Sequence, residues 1–208
     1  MNRTGLVLDF GGVLTTPLPR AVRAFEQREG LPEGACLTAM YLDEDSRRLT
    51  HDLELGRLTQ TEWNRLIAPA LGVPPDDLMR RMFADLRPER RMIDAAARAR
   101  AAGVKVGILS NSGGLDPWNL YADYQLDSRY DAVVLSERHA LRKPDPAIYR
   151  VVLELLELPG SACVFVDDTA GYLPAAEELG MATVHAGDPV GTIARLEALL
   201  GVPLAADR

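Results

Sequence analysis

Five short apolar runs, at residues 5–8, 104–109, 132–135, 162–166 and 181–185, constrain the fold more than any other feature of this sequence. Each is rich in Val, Ile or Leu and lacks polar alternation, which is the pattern of strands covered on both faces. Helical patterns separate the later runs. Pro88 suits the first turn of one helix, an Ala-rich stretch carries it to Ala102, and Gly103 stops it. A second helix is expected over 146–156 and a third over 173–179, ending at Gly180. Strand and helix in alternation predict an α/β fold built on a doubly wound parallel sheet.

One interval breaks the alternation. About seventy residues separate the first run from the helix at Pro88 without a credible strand, and their patterns are helical. Thr59-Gln60-Thr61-Glu62 has the spacing of a capping box opening a helix that holds Trp63, Leu66 and Ile67. Asp76 and Asp77 place negative charge near the start of another. An insert here would sit above the turn that follows the first strand. The expected division is a core of residues 1–15 and 87–208 and a helical cap of residues 16–86, with hinges near Pro17, Pro19 and Arg87-Pro88.

At 208 residues the chain is large enough for one full core and an accessory unit. A formal net charge of −7 argues against a nucleic-acid partner, because phosphate backbones are held mainly through Lys and Arg. The two cysteines, Cys36 and Cys163, have no metal-ligand spacing and are expected to be plain buried thiols. No apolar run reaches the ~18 residues of a membrane span, and the expected location is the cytoplasm.

The turns after the strands carry the chemistry. Asp9 follows the first run and precedes Gly11 and Gly12; Ser110-Asn111 follow the second. Arg142-Lys143-Pro144-Asp145 follow the third, and Asp167-Asp168-Thr169 the fourth. Strand carboxyl ends are where open α/β sheets bind ligands. Taken singly, each turn reads as a cap or a loop. Together they supply what a phosphoryl group attacked by Asp9 would need: donors in Ser110 and Asn111, a cation in Lys143, and carboxylates in Asp9 and Asp168 able to hold Mg²⁺.

The motifs D-F-G-G-V-L, L-S-N-S, R-K-P-D-P and V-D-D-T, the last continuing as A-G-Y-L-P-A-A-E-E-L-G-M, resemble those of the haloacid dehalogenase-like hydrolase superfamily over essentially the whole chain. The resemblance implies a Rossmann-like sheet with an α-helical cap that closes over substrate. It implies that Asp9 is a nucleophile forming an aspartyl-phosphate, that Ser110 binds phosphoryl oxygens and that Lys143 bridges nucleophile and phosphate. Asp168 and the backbone carbonyl of Gly11 would ligate Mg²⁺, with Asp167 acting directly or through water. The implied activity is hydrolysis of a small phosphorylated metabolite, a sugar or nucleotide phosphate among the options.

Two positions depart from the family pattern. Tyr172 stands where asparagine is usual, and Gly11 where the resembling phosphatases carry an aspartate that protonates the leaving group, work worth ~10²–10⁴ in rate. A branch of the superfamily shares the D-x-G form, and some of its members are phosphatases. Two alternatives stay open: a metal-independent 2-haloacid dehalogenase, which would leave the Asp167-Asp168 pair without a task, and a non-catalytic binding protein of the same fold. Trp118, Tyr121 and Tyr124 are candidates for the substrate entrance, although packing explains them more simply. His139 is a candidate proton carrier, whereas His51 and His185 are expected to be structural.

Overall fold

In the computed structural model, which describes residues 2–205, β1 (Gly5–Leu8) is the middle strand of a five-stranded parallel sheet. Its side chains alternate: Leu6 and Leu8 enter one apolar core and Val7 the other. All four β1 residues are buried, as a strand covered on both faces requires.

After β1 come five α-helices, α1 (Leu18–Glu29), α2 (Ala35–Leu37), α3 (Glu44–Glu54), α4 (Gln60–Leu71) and α5 (Leu78–Met82), with a π-helical turn at Thr38–Leu42 between α2 and α3. They enclose a third core of their own, containing Phe25, Cys36, Met40, Trp63, Ile67 and Leu78. The capping box at α4 is formed: the Glu62 N–H donates to Thr59 Oγ1 at 3.2 Å and the Thr59 N–H to Glu62 Oε2 at 2.8 Å. Gly72 ends the helix in the left-handed conformation, at φ 66°.

The chain then runs through α6 (Arg90–Ala101), β2 (Lys105–Ser110), α7 (Leu126–Arg129), β3 (Ala132–Leu135), α8 (Pro146–Leu156), β4 (Cys163–Asp167), α9 (Leu173–Glu178), β5 (Ala182–His185) and α10 (Pro189–Leu200). Strand order is β3-β2-β1-β4-β5. Residues of α6 and α10 pack on the face of Leu6 and Leu8, those of α8 and α9 on the face of Val7. Both cysteines are free and buried. Among the described residues no helix is long and apolar enough to cross a membrane.

Pro88 does not open α6. It forms an antiparallel bridge with Thr15, and Glu89 caps the helix instead, its carboxylate accepting from the Arg91 N–H at 3.2 Å. The Thr16 N–H donates to the Arg87 carbonyl at 2.8 Å, and the Glu89 N–H to Leu14 at 2.9 Å. The two connections between sheet and helical insert therefore run side by side. A proline without an N–H could serve this edge bridge as readily as a helix start.

Candidate active site

The register of the central strands brings the acidic turns together. β1 pairs with β4 so that Leu8 lies opposite Val166, and the Asp9 N–H extends the ladder by donating to the Val166 carbonyl at 2.9 Å. Asp9 and Asp167 thus leave neighbouring strands at the same carboxyl edge, with Asp168 one residue on. One oxygen from each of Asp9, Asp167 and Asp168 lies within 4.8 Å of the others.

Lys143 reaches into this cluster from the loop after β3. Only 1% exposed, its ammonium donates to Asp9 Oδ1 at 2.8 Å and to Asp167 Oδ2 at 2.6 Å. The Tyr172 ring centroid lies 5.1 Å from Lys143 Nζ and that of Phe165 5.7 Å, so two aromatic faces also border the ammonium. Burial works against its charge, but the two carboxylates outweigh that and hold its pKa above the ordinary lysine value. Burial pushes the Asp9 carboxyl up to about 7, with Lys143 opposing and Asp167 and Asp168 reinforcing. Asp168 is raised as well, by burial and then by Asp167.

Three carboxylates facing one ammonium leave an excess of negative charge that a divalent cation would neutralise. Gly12 makes room for this arrangement: at φ 72°, a Cβ there would lie 2.1 Å from Asp168 Oδ2. An all-oxygen donor set of this kind fits Mg²⁺.

Gly11 differs from Gly12. Its φ is not in the left-handed region, and a Cβ would meet the tip of Leu18, 2.8 Å from Cδ1. The backbone does not require glycine at residue 11. Leu18, the first residue of α1, fills the space into which a side chain at that position would project.

Ser110, at the end of β2, is buried and its hydroxyl shares a 3.0 Å hydrogen bond with the Tyr121 phenol. Asn111 is turned to another task. Its amide accepts from the Lys143 N–H at 2.8 Å and donates to the Lys143 carbonyl at 3.2 Å and to the Tyr172 hydroxyl at 3.4 Å. The asparagine thereby fixes the loop that delivers the lysine.

A cavity of about 160 Å³ opens above these groups and is roofed by the helical insert. Asp9, Gly11, Ser110, Asn111, Lys143 and Asp168 all line it. The insert contributes Glu54, Tyr41 and Leu18, which sequence reasoning did not single out. Glu54 ends α3 and is tied to the core twice: Arg142 Nε donates to its Oε2 at 2.6 Å and the Ser136 hydroxyl to its backbone carbonyl at 2.6 Å. Burial raises its pKa against the pull of Arg142. No local signal marks it, because its partners lie more than eighty residues away.

Tyr121 packs on Phe10 with ring centroids 4.5 Å apart, Tyr124 does so at 4.6 Å, and Trp118 stacks on Phe83 at 6.4 Å. Trp118 and Tyr121 also line the cavity, whereas Tyr124 does not. His139 is exposed and stands outside it. His185 Nε2 lies 2.9 Å from the Asp168 carbonyl, where it braces the acidic turn.

The family model described as haloacid dehalogenase-like hydrolase matches residues 4–180. A phosphatase of Mycobacterium tuberculosis is 30% identical over 202 residues, covering 87% of this chain and 86% of that protein. Mouse acyl-CoA dehydrogenase family member 10 is 29% identical over 209 residues; the match takes in 96% of this chain but only 19% of that much longer protein. Among solved structures, a magnesium complex of a HAD family enzyme from Bacteroides thetaiotaomicron superposes with a TM-score of 0.67 at 20% identity, covering 89% of this chain and 94% of that one. At that identity the likeness is one of fold.

Proposed function

The chain belongs to the haloacid dehalogenase-like hydrolase family, and we propose that it is a Mg²⁺-dependent phosphatase acting on a small phosphorylated metabolite through an aspartyl-phosphate on Asp9. The observation that carries this reading is the lysine bridge: Lys143 Nζ stands 2.8 Å from Asp9 and 2.6 Å from Asp167 at the floor of the cavity, with Asp168 alongside. The phosphatase relative from Mycobacterium tuberculosis supports the same activity. A dehalogenase would gain nothing from three clustered carboxylates beside a carboxylate product, so the acidic cluster favours phosphoryl over carbon chemistry. In this reading the helical insert, residues 16–86, is the cap.

Asp9 attacks phosphorus, the bond to the leaving oxygen breaks and that oxygen takes a proton from water, and a second water later cleaves the acyl phosphate, releasing phosphate and restoring the Asp9 carboxylate. Lys143 orients the nucleophile and offsets charge on the phosphoryl oxygens, while Ser110 donates to one of them. Asn111 acts through Lys143 by holding its backbone. Asp9, Asp168 and the Gly11 carbonyl would hold Mg²⁺, with Asp167 acting directly or through water, and the ion would supply the remaining charge neutralisation.

Activity is expected to vanish in excess chelator, and Mg²⁺ affinity to depend on pH. The metal binds the charged carboxylate, and burial has pushed Asp9 up to about 7, so protons compete below that pH. Calorimetric titration in metal-free buffer should show affinity falling by up to ~10-fold per pH unit from 7 to 5 and levelling off above 8. Full turnover in chelator would remove the metal from the mechanism, whereas an affinity flat across this range would show that Asp9 is already ionised at pH 5.

Gly11 leaves the leaving-group side without a carboxyl, and Leu18 makes it apolar. The rate is therefore expected to depend steeply on leaving-group pKa, phenyl and acyl phosphates turning over faster than alkyl phosphates of similar size and hydrophobicity. Gly11→Asp combined with Leu18→Ala, which frees the space, should flatten the dependence of kcat/KM and help the poorest leaving groups most. If the parent is already insensitive, another group supplies the proton; Glu54→Gln would then steepen the slope and identify it.

A further inference from the structure

The cavity above Asp9 does not stand alone. A second cavity of about 290 Å³ lies between α1 and the segment around α2, and it shares Leu18, Met40, Tyr41 and Phe83 with the first. Its remaining wall includes Val22 and Leu37, and its outer end reaches the surface at Leu37, which is 53% exposed. Leu18 therefore has two neighbours: the phosphoryl site across Gly11, and the second cavity behind it.

Most of the polar groups along this route are already engaged, the Tyr41 phenol on the shared wall being the exception among the described residues. Glu26 accepts from the Gly34 N–H at 3.1 Å and the Cys36 N–H at 2.9 Å, and Arg23 pairs with Glu33 at 3.2 Å. In the inner cavity Gln60 donates to the carbonyls of Gly114 and Trp118, and the Thr50 hydroxyl donates to Ser46 and accepts from Trp63 Nε1. Hydroxyls of a sugar, or the edges of a base, would lose more water partners here than the walls replace. An alkyl chain would only gain, and the unbranched Met40 and the tip of Leu18 are side chains that yield to one.

Resting on the phosphatase reading, we propose that the preferred substrates are phosphate monoesters whose leaving group carries an extended apolar chain, threaded past Leu18 and Met40 into the second cavity. Polyol and nucleotide phosphates are disfavoured by the same walls.

The test uses the Mg²⁺-loaded protein and n-alkylphosphonates from methyl to octyl, which cannot be hydrolysed, with binding measured calorimetrically below their micelle concentrations. Each methylene is expected to tighten Kd about fourfold, the equivalent of ~0.8 kcal/mol per buried CH₂, until the route is filled. Val22→Trp, which fills the second cavity, should end the tightening at a shorter chain. Leu37→Glu, at the exposed end, should weaken only the longest members. A wild-type series with no dependence on chain length overturns the proposal. So does a series that both variants leave unchanged, because the chain then lies elsewhere. Phosphate release from p-nitrophenyl phosphate, followed in parallel, reads the phosphatase assignment separately: its absence would sink that reading, while the phosphonate series still reports on the chain.

Discussion

Asp9→Asn is expected to abolish phosphate release, a loss of at least ~10⁴-fold, while leaving the protein folded. The substitution keeps the shape of the side chain, and its amide oxygen still accepts from Lys143 Nζ, which also keeps Asp167 as a partner. What disappears is the nucleophile. No neighbour takes its place: Asp167 is fully buried and bound to Lys143 and the Thr169 N–H, and Asp168 lies on the turn beyond it. Rapid quenching with labelled aryl phosphate should trap a phosphorylated protein for the parent and none for the variant. A variant retaining most of the turnover would sink the covalent mechanism, because a carboxylate acting only as a metal ligand or general base would leave a graded loss.

What the sequence made legible, and what it hid, follows from the range of the interactions. Asp9, Ser110, Asp167 and Asp168 are readable because each sits at the end of an apolar run, and parallel strands deliver these residues to one edge of the sheet whatever the packing elsewhere; Lys143, eight residues beyond β3, is readable from its R-K-P-D-P motif instead. The capping box at Thr59 is equally local, closing within four residues. Glu54 and Tyr41 were hidden because their position in the cavity depends on how the helical insert lies on the sheet, and no periodicity encodes that.

Asn111 shows a subtler limit. Its side chain type and place in the turn suit a phosphate ligand, yet the amide matches the backbone of Lys143, a partner fixed only by tertiary structure. The adjacent glycines separate for a similar reason. Gly12 is required by φ and by Asp168, both consequences of the turn; Gly11 is explained only by Leu18, seven residues on and in another element.

Lys143→Ala is expected to lower kcat/KM by ~10³-fold and to destabilise the metal-free protein with a characteristic pH dependence. The lysine is the buried cation between Asp9 and Asp167, and removing one partner of a buried ion pair typically costs ~3–5 kcal/mol because the other charge stays buried. Asp9 already sits at about 7 in the folded parent, with Lys143 pulling it down; without the lysine it rises further. A carboxyl whose folded pKa exceeds its unfolded value favours the fold when protonated, so this stability is present near pH 4 and is lost as pH rises through and beyond 7. The melting temperature of the variant should accordingly fall towards that of an unstable protein at pH 8 and approach the parent value at pH 5. Saturating Mg²⁺ should restore part of the loss at pH 8, since a cation then enters the cluster that has lost its lysine, but not the activity, because the phosphoryl group still lacks its ammonium. Equal turnover in variant and parent, with only the melting temperature reduced, would make Lys143 a purely structural counter-ion and would leave the reaction to Asp9, Ser110 and the metal alone.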